Sequence, residues 1–345
     1  MDIAEVARRA GVSPATVSRV LNKTAPVKEE TRRRVLRVIQ DSNYIPNVAA
    51  RNLSLQSRLN NIGIVIPDID NPFFCSILKG VTQAADKHQY NVLLFNSDEN
   101  SEREHHFLQT VRDQNLKGII MIPLSEHDEV SFTYLSDLEA ANVPVVLVDR
   151  RIGKGEFSGV FTNDEPDAYR AVELLIQAGH TSIATVAGHQ RSTPGQNRLR
   201  GFERAMEEYG LPVPPEYVEF GNFKFYDSYE AAGRLLDLPA PPTAIFTANN
   251  FATLAVLRRT MERGLVVGRD ISLLGFDEIE TWMRYSPMLH EEIQLSLVER
   301  PVEQIAREAM ELLQSRIATG AKDLPTPKTV VLGNRIVLRG SERLG

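Results

Sequence analysis

The stretch DIAEVARRAGVSPATVSRVLN, residues 2–22, decides how the rest of the chain is read. Ile3, Val6, Ala7 and Ala10 recur at helical spacing and give one apolar face to a short first helix. Gly11 ends that helix, because glycine takes up the turn conformation without a steric penalty. Ser13 followed by Pro14 then reads as the cap and first residue of a second helix. Val17, Val20 and Leu21 would face inward, leaving Thr16, Ser18 and Arg19 outside as a hydrogen-bonding surface of the size a DNA major groove accepts. A third helix is predicted over residues 29–41, EETRRRVLRVIQD, with Val35, Val38 and Ile39 closing a core that two short helices cannot build alone. Together these are a helix-turn-helix headpiece rather than a helical hairpin with an accidental turn.

Charge separates this headpiece from the remaining chain. Residues 1–58 hold 11 Lys and Arg against 5 Asp and Glu, net +6, whereas the whole chain carries −6, so the remainder carries −12. The partner of the first part is therefore a polyanion, double-stranded DNA, and the acidic body keeps the molecule off random nucleic acid. A length of 345 residues leaves room for a two-lobed core beyond the headpiece. The single cysteine, Cys75, excludes an internal disulfide and a cysteine-rich metal site, and fits a reducing cytoplasm. No run of 18 apolar residues occurs and the N-terminus lacks a signal-peptide profile, so the expectation is a cytoplasmic protein with no membrane partner.

Pro46 breaks the third helix, and NVAARNLSLQSR (residues 47–58) offers only about two helical turns, short of the roughly 12 to 15 residues that a helix needs alone in water. This linker, residues 46–60, is expected to order only on DNA. From residue 62 onward, apolar runs alternate with amphipathic stretches. IGIVIP, NVLLF, GIIMIP and PVVLVD form one series; VFTN, IATVAG, YVEFG, AIFTAN and ISLLGFD form a second. That pattern predicts parallel strands with crossover helices, and two series predict two lobes, an α/β core. In such sheets ligands sit beyond the carboxyl ends of the strands. The residues there are polar and aromatic: Asp70, Asn71, Phe73, Phe74, Asp149, Arg150, Asn249 and Asp277. Phe73 and Phe74 could equally be core, whereas Asp277, in a GFDE turn after a buried strand, is read as facing a ligand.

Three ordered motifs, AxxAGVSxxTVSRVLN from Ala7, YxPNxxARxL from Tyr44 and IGxVIPDxxNPFF from Ile62, resemble the lac repressor family. The resemblance implies an N-terminal headpiece (residues 1–45), a hinge helix, and a periplasmic-binding-protein-like core (residues 61–345). It implies chain crossings near residues 160, 295 and 322, with one lobe over about 61–160 and 296–321 and the other over about 161–295 and 322–340. TVVLGNRIVLRG would then complete the second lobe. By the same resemblance Ser13, Pro14, Ala15, Thr16, Ser18, Arg19 and Asn22 would meet the major groove. Asn47, Ala50, Arg51 and Leu53 would enter the minor groove, with Leu53 as a wedge between base pairs. The ten positions Asp70, Asn71, Phe73, Phe74, Asp149, Arg150, Arg198, Asn249, Asp277 and Arg300 would hold an effector.

The implied function is a homodimeric or tetrameric transcriptional repressor relieved by a sugar or sugar acid. The alternative is a corepressor-dependent regulator with a non-sugar effector such as a purine. Three positions depart from the family pattern: Asn250 where an aspartate is common, Arg300 where a glutamine is usual, and Lys28 where a serine would cap the third helix. The segment Pro287–Pro301 is also longer than in the family. Arg150, Arg198 and Arg300, with only Asp149, Asp277 and Asp70 nearby to offset them, lead to the expectation of an acidic effector.

Catalysis is the weaker class. The chain lacks GxSxG, a P-loop, GxGxxG after the first strand and HExxH, so no catalytic residue, metal or cofactor is expected. His105 and His106 would diverge on a helix, and Glu291-Glu292 reads as a solvated pair.

Overall fold

The computed structural model describes residues 2–22, 25–42, 60–114, 116–279, 294–319 and 326–343. The chain divides into two compact units, Met1–Leu59 and Asn60–Gly345. The expected minor-groove residues Asn47, Ala50, Arg51 and Leu53, and Glu291-Glu292, lie outside the described residues.

In the first unit, α1 (Ile3–Ala10) starts at Asp2, whose carboxylate accepts from the Glu5 amide at 2.8 Å, and stops at Gly11, which adopts the left-handed conformation at φ 60°. After it comes α2 (Pro14–Asn22), where the Thr16 amide donates to Ser13 Oγ at 3.2 Å. Lys28 precedes α3 (Glu29–Asp41) and makes no side-chain cap, but Glu29 and Glu30 put negative charge at the positive end of the helix dipole. Val6, Ala7, Ala10, Val17, Val20 and Val35 are buried together, ringed by half-buried Ile3, Leu21, Val38 and Ile39.

The second unit holds two sheets. Strands β1 (Asn61–Ile66), β2 (Asn91–Asn96), β3 (Ile119–Met121), β4 (Val145–Val148), β5 (Ser158–Thr162) and β11 (Thr329–Leu332) pair in the order β11-β5-β4-β3-β1-β2, all parallel. Strands β6 (Ile183–Ala187), β7 (Val218–Phe220), β8 (Ala244–Thr247), β9 (Ser272–Phe276), β10 (Ser296–Glu299) and β12 (Arg335–Val337) pair in the order β12-β10-β9-β8-β6-β7, with only β12 antiparallel.

Helices cover both faces of the central strands of each sheet, which is why those strands read as continuous apolar runs. Ile62, Ile64 and Ile66 face α4 (Pro72–Lys87) and α11 (Val302–Thr319), while Val65, Ile119 and Met121 face α5 (Ser101–Asp113) and α6 (Glu129–Ala140). In the second sheet α7 (Asp164–Gln177) and α8 (Thr193–Glu208) cover Phe246, Leu274 and Phe276. The opposite face packs on α9 (Phe225–Leu236) and α10 (Asn250–Glu262).

Two sequence expectations need correction. VFTN belongs to the first sheet, because β5 pairs with β4 in register Leu147↔Gly159. TVVL also joins the first sheet, beside β5, and only RIV enters the second. The chain therefore passes between lobes after β5, between β10 and α11 at Arg300, and at Gly333-Asn334 rather than near residue 322. An apolar run marks a strand, not which sheet it joins. The Asn163 amide donates to Leu332 O, so the first and third passages lie side by side.

Candidate functional site

The cleft between the lobes collects the residues that come after the strands. Asp149 after β4 and Asp277 after β9 occupy equivalent places: each adopts a left-handed backbone (φ 64° and 69°), and each amide donates to the neighbouring strand, at Val160 O and Val298 O. Left-handed aspartate costs roughly 1 kcal/mol, strain of the kind found where a fold aims a functional group. Their carboxylates meet at Arg300, which donates through Nε to Asp277 and through Nη1 to Asp149 while its guanidinium lies 3.3 Å from the centre of the Phe73 ring. Phe73 and Phe74 also belong to the core of the first lobe, so the two readings of these residues both hold.

The arginines expected here are all matched by acids. Arg150 binds Glu99 with both terminal nitrogens, at 3.2 and 2.9 Å. Arg198 donates to Asp164 at 3.1 Å and to Ala248 O at 2.6 Å, with Phe276 under its guanidinium at 3.8 Å. Glu99, Arg150, Asp149, Arg300, Asp277, Arg198 and Asp164 thus form a row of strictly alternating charge, in which the Arg150–Asp149 and Arg198–Asp277 steps are 3.9 Å.

Burial pushes the Glu99 carboxyl upward, but Arg150 outweighs it and holds the group below the usual carboxylate range. Burial lowers Arg300 less than Asp277 and Asp149 raise it. Burial raises the Asp164 carboxyl, with Asp149 adding to the rise and Arg198 and Arg300 opposing it. The expected shortage of negative charge is therefore overturned: Glu99 and Asp164, which stand after β2 and β5 as the strand-end rule requires, supply what Asp70 was expected to give.

Asp70 itself is exposed, its amide held by Asp68 at 2.9 Å, and it does not line the cleft. The other nine expected residues do, together with Pro194 and Phe223. Asn71 and Asn249 cap α4 and α10, accepting from Phe73 and Ala252 amides at 3.0 and 2.9 Å. Asn250 donates to Asn71 Oδ1 across the cleft at 3.0 Å, a bond that the aspartate common at this position could not give. Gln196 to Glu126 at 2.6 Å, the Arg151 amide to Thr193 Oγ1 at 3.1 Å and the Glu126 amide to Arg191 O at 3.2 Å also join the lobes.

On the headpiece, Ser13, Pro14, Ala15 and Arg19 are exposed and Thr16 and Ser18 half-buried on one end of α2, while only the backbone of Asn22 is described. The Ser13 and Thr16 hydroxyls lie 3.0 Å apart. Among the described residues Arg19 pairs with no acid. His105 is held by Asp128 at 2.8 Å.

A basic helix-turn-helix unit followed by a two-lobed α/β core with a polar cleft defines a ligand-responsive DNA-binding protein. Residues 2–47 match the family model of bacterial regulatory proteins, lacI family, and residues 172–342 match the periplasmic binding protein-like domain. Catabolite control protein A of Priestia megaterium is 34% identical over 342 residues, 99% of either chain. The HTH-type transcriptional repressor PurR of Aliivibrio fischeri is 31% identical over 317 residues, 91% of either chain. Among solved structures, the transcriptional regulator CelR–cellobiose complex superposes with a TM-score of 0.71 at 26% identity, covering 99% of both chains. The chain belongs to the lacI family and is a DNA-binding transcriptional regulator.

Proposed function

We propose that this regulator is an operator-binding homodimeric repressor whose cleft takes a small, uncharged, hydroxyl-rich effector, with effector binding releasing DNA. The observation that carries the effector class is the charge row: three guanidiniums face four carboxylates, so an anion entering the cleft gains no net attraction, while aspartate oxygens suit hydroxyl donors. A sugar ring brings such a cleft both hydroxyl donors and an apolar face. Phe73, Phe74 and Phe223 cover the apolar side of such a ring. A flat heterocycle is the second reading, favoured by those same aromatic faces.

In this reading Ser13, Pro14, Ala15, Thr16, Ser18, Arg19 and Asn22 meet the major groove. Asn71, Asp149, Arg150, Arg198, Asn249, Asp277 and Arg300 surround the effector. The experiment is a thermal-shift series with neutral aldoses, their aldonic and uronic acids, and purine bases, followed by operator-binding anisotropy with each hit. Neutral aldoses should raise the melting temperature and weaken operator binding. A shift with the acids alone refutes the charge reading; a shift with purines and stronger operator binding replaces it with the corepressor reading.

A further inference from the structure

We propose that Arg300 is a built-in latch: one buried guanidinium, standing where the chain passes between lobes, ties Asp149 of the first lobe to Asp277 of the second and so sets how readily the cleft opens. On each side of it the charges are already paired within a lobe. Arg150 is held by Glu99 and Arg198 by Asp164, and in each lobe one arginine lies between two carboxylates. Each face of the cleft therefore presents one aspartate, Asp149 or Asp277, whose own lobe's arginine stands at 3.9 Å, beyond hydrogen-bonding distance, and the two carboxylates would repel at close range.

Arg300 is the cation that converts this repulsion into attraction, and it is only 3% exposed, so water screens it little. Phe73 under the guanidinium fixes its plane. A second ion pair across the cleft, Lys224 to Asp68 at 3.5 Å, involves a lysine that is 38% exposed, and is weaker for that reason. An effector that spreads the lobes must detach Arg300 from one aspartate and satisfy the freed oxygens itself, which donors such as hydroxyls can do. This consequence rests on the effector reading above; the latch itself does not.

Two native amides report on the latch without any effector. Those of Glu126 and Arg151 donate across the cleft, to Arg191 O and Thr193 Oγ1, and hydrogen exchange in the full-length protein reads both. In Arg300→Ala their protection should fall by roughly tenfold or more, while amides of the β3–β4 ladder stay protected, separating an open cleft from an unfolded lobe. Guanidinium chloride, far below denaturing concentration, should restore the protection by refilling the gap between the aspartates. Urea, its neutral isostere, and sodium chloride at matched ionic strength should not. If Arg300→Ala does not fold, Arg300→Gln serves with loss of protection alone as readout. Unchanged protection in the variant overturns the latch. Loss that urea repairs as well as guanidinium, or that neither repairs, overturns its electrostatic basis. A protein that takes no sugar leaves these readouts unaffected, so the two proposals fail separately.

Discussion

Arg19 and Glu104 show how differently two charged residues of one chain are used. Arg19 is exposed on α2 and pairs with no acid among the described residues, so its guanidinium is free to read a guanine edge, worth about 1 to 3 kcal/mol of discrimination. Arg19→Ala should weaken operator binding more than binding to random DNA in gel-shift titration. Equal losses on both would mark it as a phosphate contact only.

Glu104 is the opposite case, fully buried on α5, accepting from the Leu124 amide at 3.0 Å and the Ser131 hydroxyl at 2.7 Å. Burial raises its carboxyl to about 7, with Asp128 adding to the rise and Ser131, Leu124 and Arg150 opposing it. A carboxyl whose folded pKa lies above its unfolded value near 4.5 favours folding most when protonated. Stability should fall as pH rises from about 4.5 to about 7 and level off beyond, by on the order of 3 kcal/mol. Ser131 Oγ can then accept a hydrogen bond from the protonated Glu104 and donate its own to Asp128, 3.3 Å away. Glu104→Gln imitates that protonated form, so urea melts should show it more stable than the parent at pH 8 and little changed at pH 5. An identical pH slope in both proteins would mean Glu104 is not the titrating group. Nothing in the sequence marks Glu104, because a glutamate in SEREHHF looks like any solvated helix charge. Glu99 and Asp164 are open to the same strand-end reasoning that singles out Asp149, but each sits in an acidic stretch, NSDEN and NDE, that looks like a solvated turn.

At the level of elements the sequence carries type better than placement. Period-3.6 apolar spacing and the Ser13-Pro14 cap locate the headpiece helices, and each apolar run is a strand. Partner choice is another matter: β4 and β5 pair in parallel although no helix lies between them, so the usual strand–helix–strand rhythm misassigns VFTN. Helix packing leaves a subtler mark in glycine. A Cβ at Gly201 on α8 would strike Glu165 O and come within 2.8 Å of the Tyr169 amide nitrogen on α7, both backbone atoms that cannot swing aside. Gly201→Ala should therefore part α7 from α8 and cost about 1 to 3 kcal/mol, read as a lowered urea midpoint. An unchanged midpoint would show that the pair separates freely.

At the scale of the whole molecule, neither lobe is a continuous piece of chain. The first sheet takes β1 to β5 and then waits for β11, while the second is closed by β12 immediately after Gly333-Asn334. During synthesis the β5 edge, with Val160 and Phe161, stands bare until residues 329–332 emerge some 170 positions later. Such an edge invites pairing with another nascent chain. The ribosome thus releases a molecule whose two halves mature almost together, sealed by one short ribbon, and whatever delays that ribbon exposes both halves to aggregation at once.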